Sequence, residues 1–136
     1  MADFPSNLRS MIVKDGVLPK AGHLLNYDAT SGAGTVELTA ATEACQFIAL
    51  DESSRGEENA LDTTGATVTA CPVGGMMYVR MNSGENLLAG ATLYVGANGE
   101  ATITAGSNKI LGHYLGAATN PTVAGDLYAV NTKQTN

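Results

Sequence analysis

The chain carries the same small plan twice. Ala21 opens "AGHLLNY", which is followed by "GTVELTA" and "CQFIALDES"; Ala89 opens "AGATLYV", followed by "EATITAG" and "NKILGHYLGAA". Each copy reads as an Ala-Gly, a Leu/Tyr strand, a turn, a Thr-rich strand, a polar link and a strand ending in small residues. The copies start 68 positions apart, beyond the period of about 20–50 residues that marks a solenoid. The plan predicts two similar three-strand meanders in one domain, bridged by "VTACPVGGMMYVRM". A third Ala-Gly, at Ala124, opens "AGDLYAV".

Ten stretches alternate or cluster as strands do: Met11–Val17, His23–Tyr27, Thr35–Thr39, Cys45–Leu50, Thr67–Cys71, Met76–Met81, Thr92–Val95, Ala101–Thr104, Ile110–Leu115 and Leu127–Val130. Gly, Pro, Asn, Asp and Ser separate them at short spacing, the signature of an all-β sandwich or barrel. With 16 Gly, no Trp and only 5% aromatics, the core must be aliphatic. The expected fold is an all-β, small β-sandwich or barrel-like domain of short antiparallel strands, spanning Met11–Asn136. Met1–Ser10 lacks periodicity and reads as an extended N-terminal arm, with Phe4 and Leu8 as anchors.

Around Asn98-Gly99 the alternation selects a register. A two-residue turn mixes polar and apolar residues on each face. A three-residue loop, Ala97-Asn98-Gly99, pairs Leu93 with Ile103 and Val95 with Ala101, and Thr92 with Thr104 and Tyr94 with Thr102, so that one face is apolar. Gly99 then takes the left-handed position of a type I turn with a G1 bulge.

Charge narrows the partners. Seven Lys and Arg against 13 Asp and Glu leave a net charge of −6, and the basic residues are scattered. Nucleic acid, whose phosphates need clustered cations, is not expected as a direct partner. No stretch approaches about 18 consecutive apolar residues, so no membrane span is expected. The first residues lack the pattern of a signal peptide, and two cysteines are too few for a disulfide scaffold. Both thiols are expected to be buried and free.

Chemistry-bearing motifs are absent. Cys45 or Cys71 with His23 or His113 would make a nucleophile pair, but none lies in a recognisable motif; His113 alternates with Leu111 and Leu115 and reads as a half-buried structural residue. No clustered metal-ligand spacing occurs. Within the acidic stretch Asp51–Gly65, Asp51, Ser53, Gly56 and Asp62 partly mimic a calcium loop. Arg55 occupies a ligand position and flanking helices are missing, so a solvated loop is expected. "SGAGT" is a fragment of a dinucleotide fingerprint without its βαβ unit. No cofactor, metal or catalysis is expected. In "MMYVRM", Met77, Val79 and Met81 form the core face, while Met76, Tyr78 and Arg80 form the opposite face, a candidate subunit interface because these residue types are enriched at contacts.

The run "AGATLYVGANGEATITAGSNKILGHYLGAATNPTVAGDLYAV" resembles the capsid cement, or head-decoration, proteins of tailed phages. The family's "GxxLYxxxxGxxT" hairpin corresponds to Gly90–Thr102, its "IGxxLxAA" strand to Leu111–Ala118, and its "AGD" with a terminal hydrophobic strand to Ala124–Val130. "FIALDESSRGEENALDTTG" resembles the family's earlier strand and long link. The order of these weak motifs carries the likeness, which covers most of Gly16–Asn131 and leaves the arm unmatched. The resemblance implies a virion protein, made in the host cytoplasm, on the outer surface of an expanded head. It would bind the major capsid protein, clamp neighbouring subunits against internal DNA pressure, and act as a homodimer or homotrimer. Phe4, Pro5, Leu8 and Arg9 are the candidate capsid contacts. The alternative is a virion- or cell-surface carbohydrate- or receptor-binding module, disfavoured by dispersed tyrosines.

Overall fold

Among the described residues ten strands form, one at each stretch the alternation marks. The computed structural model describes residues 8–14, 17–28, 34–51 and 66–133. The strands are β1 (Arg9–Ile12), β2 (Leu24–Tyr27), β3 (Val36–Leu38), β4 (Phe47–Ala49), β5 (Thr67–Pro72), β6 (Gly75–Arg80), β7 (Thr92–Val95), β8 (Ala101–Thr102), β9 (Ile110–Tyr114) and β10 (Leu127–Thr132). They make two five-stranded sheets, ordered β1-β5-β4-β2-β3 and β6-β10-β9-β7-β8. Adding five to every label of the first order gives the second.

The duplication holds residue by residue. Tyr27 pairs with Val36 as Val95 pairs with Ala101. Leu25 pairs with Phe47 as Leu93 pairs with Gly112. Ala49 pairs with Ala70 as Tyr114 pairs with Val130, and Arg9 pairs with Ala70 as Met77 does with Val130. Each sheet also curls until its edge strands touch. Val13 bridges Val36, and Met81 bridges Ala101, both in parallel; Lys14 N–H donates to Val36 O at 2.9 Å and Asn82 N–H to Ala101 O at 2.8 Å. The result is two small barrels of one topology, whose edge strands protect each other's backbone from stray pairing.

Three local expectations change. The repeats are not meanders: β4 returns to the far side of β2, leaving β3 at the edge. The link after β3 is too long for a hairpin and is tied across β2 by side chains. Glu43 Oε1 accepts from Asn26 Nδ2 and from Ala40 N–H, both at 3.0 Å, and Gln46 N–H donates to Asn26 Oδ1 at 2.9 Å. β1 starts at Arg9, so Arg9 and Ser10 pair with Ala70 and Thr69. It stops at Ile12, not Val17, because the chain there switches partner: Val13 N–H bonds Ala66 O while Lys14 N–H bonds Val36 O.

The hairpin follows the expected three-residue loop. Tyr94 pairs with Thr102 and Val95 with Ala101, and Gly99 has φ +70°. Asn98 is left-handed too (φ 58°, ψ 32°), and Glu100 N–H donates to Ala97 O at 3.2 Å. The tip is therefore the Asn-Gly turn with both central residues left-handed, not a type I turn. The expected pairs Leu93–Ile103 and Thr92–Thr104 do not form. β8 ends at Thr102 because Glu85 captures the chain: Thr102 Oγ1 donates to Glu85 Oε2 at 2.6 Å and Ile103 N–H to Glu85 Oε1 at 2.9 Å.

The Ala-Gly echo is a turn. His23 N–H donates to Lys20 O, Ala91 N–H to Leu88 O and Asp126 N–H to Val123 O, at 3.0–3.2 Å. Gly22, Gly90 and Gly125 have φ of +88°, +78° and +88°, the conformation that position i+2 of a type II turn requires and that glycine supplies without strain.

Apolar alternation fills both barrels. Met11, Val13, Leu25, Val36, Phe47, Ala49, Val68 and Ala70 form the first core. Val79, Met81, Leu93, Val95, Leu111, Tyr114, Tyr128 and Val130 form the second, which also takes in Leu24, Cys45 and Ile48 from the outward side of the first barrel. Leu24 and Ile48 are fully buried; each such side chain contributes about 1.5–3 kcal/mol by leaving water. One continuous apolar layer thus joins the barrels. Two close approaches lock it. Arg80 N–H donates to Gly22 O at 2.9 Å, and Gly99 N–H to Thr39 O at 3.0 Å.

Candidate functional site

The residues singled out for contact fall on two surfaces. Phe4 and Pro5 lie outside the described residues. Leu8 is exposed at the mouth of β1, and Arg9 is exposed within it. The second surface is the outer side of β6, β10 and β9. Alternation on β6 buries Met77 and Val79 and leaves Met76 and Tyr78 at 59% and 53% exposure. Tyr78 pairs with Ala129, whose carbonyl accepts from Leu115 N–H at 2.9 Å. Leu115 and Leu127 are exposed as well, so Tyr78 on β6, Ala129 on β10 and Leu115 just after β9 form one row. Exposed apolar residues gathered in this way mark contact surfaces more often than scattered ones do.

Arg80 is engaged within the chain. It is half-buried, and its Nε donates to Ala21 O at 2.8 Å, so it belongs to the joint between the barrels. Leu115 and Leu127 were missed as contact candidates. Their signal lay in cross-strand register, since both stand beside β6 residues only once β10 is placed between β6 and β9.

Cys45, Cys71 and His23 are held in contacts within the fold. The Cys45 thiol is buried and pushed up to about 12 by desolvation, and its Sγ lies 3.1 Å from Phe47 O as a donor. Cys71, half-buried, is raised by the same cause. Thiolate character, which nucleophilic chemistry requires, is suppressed at both. His23 sits at the joint, where burial, then Arg80 and Lys20, lower its pKa from 6.5 to about 4. Its Nδ1 accepts from Lys20 N–H at 2.8 Å, which needs the neutral ring. The folded state therefore disfavours the proton. The resulting stability is fully present above pH 6.5 and is lost as pH falls towards about 4. The expected loss over that window is roughly 1–2 kcal/mol, after discounting for the solvent contact of a half-buried ring. Urea unfolding at pH 7 and pH 4 measures it, and His23→Asn should remove that part of the pH dependence.

A shallow cleft of about 160 Å³ runs between Asn82, Asn98, Glu100, Thr104 and Asn108. It is smaller than the roughly 300–1,000 Å³ of ordinary ligand sites, and no aromatic side chain lines it. Sugar-binding geometry finds no support there. Asp51, first residue of the acidic stretch, is occupied as an acceptor for Thr69 N–H at 3.0 Å; the remainder of that stretch lies outside the described residues. Among the described residues no group of three or more His, Cys, Asp or Glu is placed to hold a metal ion, and no helix is long and apolar enough to cross a membrane.

The fold defines a class: an all-β chain of two tandem, like-folded barrels. It is similar to the head fiber gp8.5 N base of bacteriophage phi29, known from a crystal structure, with a TM-score of 0.62 and 17% sequence identity. The match covers 95% of this chain and 99% of the other, so the whole architecture is shared. No protein-family model and no curated protein matches the sequence.

Proposed function

We propose that this chain is a phage head protein of the decoration, or cement, type. It binds the outer surface of an expanded capsid and clamps neighbouring major capsid subunits. The observation that carries the reading is the fold shared end to end with the base of a phage head fiber. The ordered motifs of "AGATLYV", "KILGHYLGAA" and "AGDLYAV" point the same way independently. A ligand that binds only the assembled, expanded shell stabilises it by mass action, and many copies add their increments over the whole surface. Two barrels joined through one apolar layer make a stiff strut for that purpose, and no catalytic group is needed.

In this reading the arm, with Phe4 and Pro5, reaches the capsid together with Leu8 and Arg9 at the start of β1, and Met76 and Tyr78 face a neighbouring protein subunit. Deleting Met1–Asn7 removes the arm up to the residue before Leu8 and leaves β1 whole. The expected result is capsid affinity about tenfold weaker, equal to ~1.4 kcal/mol, with an unchanged circular-dichroism spectrum and melting temperature. Co-sedimentation with expanded capsids reads the affinity. Undiminished co-sedimentation of the truncated protein would remove the arm from the account.

A further inference from the structure

The joint between the barrels has two sides, and each barrel owns a copy of both. The first barrel contributes Gly22, Leu24, Cys45 and Ile48. The second contributes Gly99, Arg80 and Leu127: a Cβ on Gly22 would run into Leu127 and Arg80, and one on Gly99 would lie 2.9 Å from Leu38 Cδ2 and 3.0 Å from Leu24 O. The strand registers identify the counterparts left over. On the second barrel, Gly90, Thr92, Ile110 and His113 stand where Gly22, Leu24, Cys45 and Ile48 stand on the first. On the first barrel, Gly34 and Ile12 stand where Gly99 and Arg80 stand on the second.

The glycines and the apolar side chains that the first barrel brings to the joint are buried, and several of their counterparts are exposed. Gly22 and Gly99 are buried, whereas Gly90 and Gly34 are exposed with nothing within 4 Å of an added Cβ. Leu24 and Ile48 are 0% exposed, whereas Ile110 is 45% and Ile12 54% exposed. Among the described residues, nothing lies within 4 Å of a Cβ added at Gly90 or Gly34, and each end of the chain thus presents one half of the joint.

We propose that the first barrel of one copy docks on the second barrel of the next, head to tail, through a repeat of the internal joint. The partner is a second copy of this chain. The contact sets Ile12 and Gly34 of one copy against Gly90, Thr92, Ile110 and His113 of another. Thr92 and His113 replace Leu24 and Ile48, so the contact between copies is weaker than the internal one and forms at high local concentration. A head-to-tail contact is heterologous: it closes into a ring or runs on as a filament, and it differs from a two-fold dimer. It depends on no capsid, so its failure is distinct from failure of the proposed function.

Sedimentation velocity on the full chain tests it, with Ile12→Arg and Ile110→Arg, both at exposed strand positions. The wild type is expected to associate as its concentration rises to about 1 mM, the range in which weak contacts register. Each variant alone is expected to stay monomeric. An equimolar mixture is expected to form a heterodimer and stop there, since each variant keeps the half that the other lacks. Charge-reversed controls, Ile12→Glu and Ile110→Glu, should mix in the same way. A wild type that stays monomeric throughout, or a mixture that forms no dimer, overturns the proposal.

Discussion

Gly112→Ala is expected to unfold the second barrel more effectively than any other single methyl addition. A Cβ at this position would run into Asn131 O and lie 2.8 Å from Thr132 Cα. Both obstacles belong to the backbone of β10, which is paired on its other side with β6 and has no room to retreat. The counterpart in the first barrel is Phe47, so the topology itself does not demand glycine there. What demands it is how closely the β10 backbone at Asn131 and Thr132 passes the Cα of Gly112. Overpacking usually costs 1–3 kcal/mol, and a clash with fixed backbone lies at or above the top of that range, about 3 kcal/mol. For a chain of this length that is a melting temperature lower by about 10 °C. A wild-type melting temperature in Gly112→Ala would show that β9 and β10 are not packed as described.

The second large effect is a difference between two chemically identical changes. Gly22 and Gly90 occupy the same turn in the two barrels, at φ +88° and +78°. Alanine at either must adopt a left-handed conformation, at about 1–2 kcal/mol. Only at Gly22 does the methyl also meet the other barrel, with Arg80 N at 3.1 Å and the Leu127 side chain closer still. Yielding there strains the bond from Arg80 N–H to Gly22 O. Gly22→Ala is therefore expected to cost about 1–2 kcal/mol more than Gly90→Ala. Urea unfolding of the pair isolates the joint, because the turn strain cancels. Equal losses would mean that the barrels do not press on each other at this point.

Much of the architecture is legible because it is written in local alternation. β6 and the residue after it separate cleanly into a buried set, Met77, Val79 and Met81, and an exposed pair, Met76 and Tyr78. The hairpin tip follows from keeping Leu93, Val95 and Ala101 on one face. The repeat of Ala21 at Ala89 foretells the duplication seen in the two sheet orders. The failures share one cause, which is contact between residues far apart in sequence. β8 stops where Glu85 reaches it, β1 stops where Val36 takes over as its partner, and the link before β4 is held by Asn26 and Glu43. None of these acts through local propensity.

The candidate site was legible in the same uneven way. Exposure of Met76 and Tyr78 needs only a period of two. The engagement of Arg80 with Ala21 O, 59 positions away, and the placement of Leu115 and Leu127 beside Tyr78 need the sheet order. The joint could not be foreseen for the same reason. Gly22 and Gly90 look alike in sequence, and only the packing of one barrel on the other makes the first a contact and the second a free surface.

The function stands or falls on the capsid. Purified protein added to a panel of undecorated, expanded tailed-phage capsids, followed by cryo-electron microscopy, is the most direct test. The account predicts, on a cognate shell, extra density on the outer surface, shaped as two joined barrels and bridging neighbouring major capsid subunits. Bare outer surfaces on every shell would contradict it.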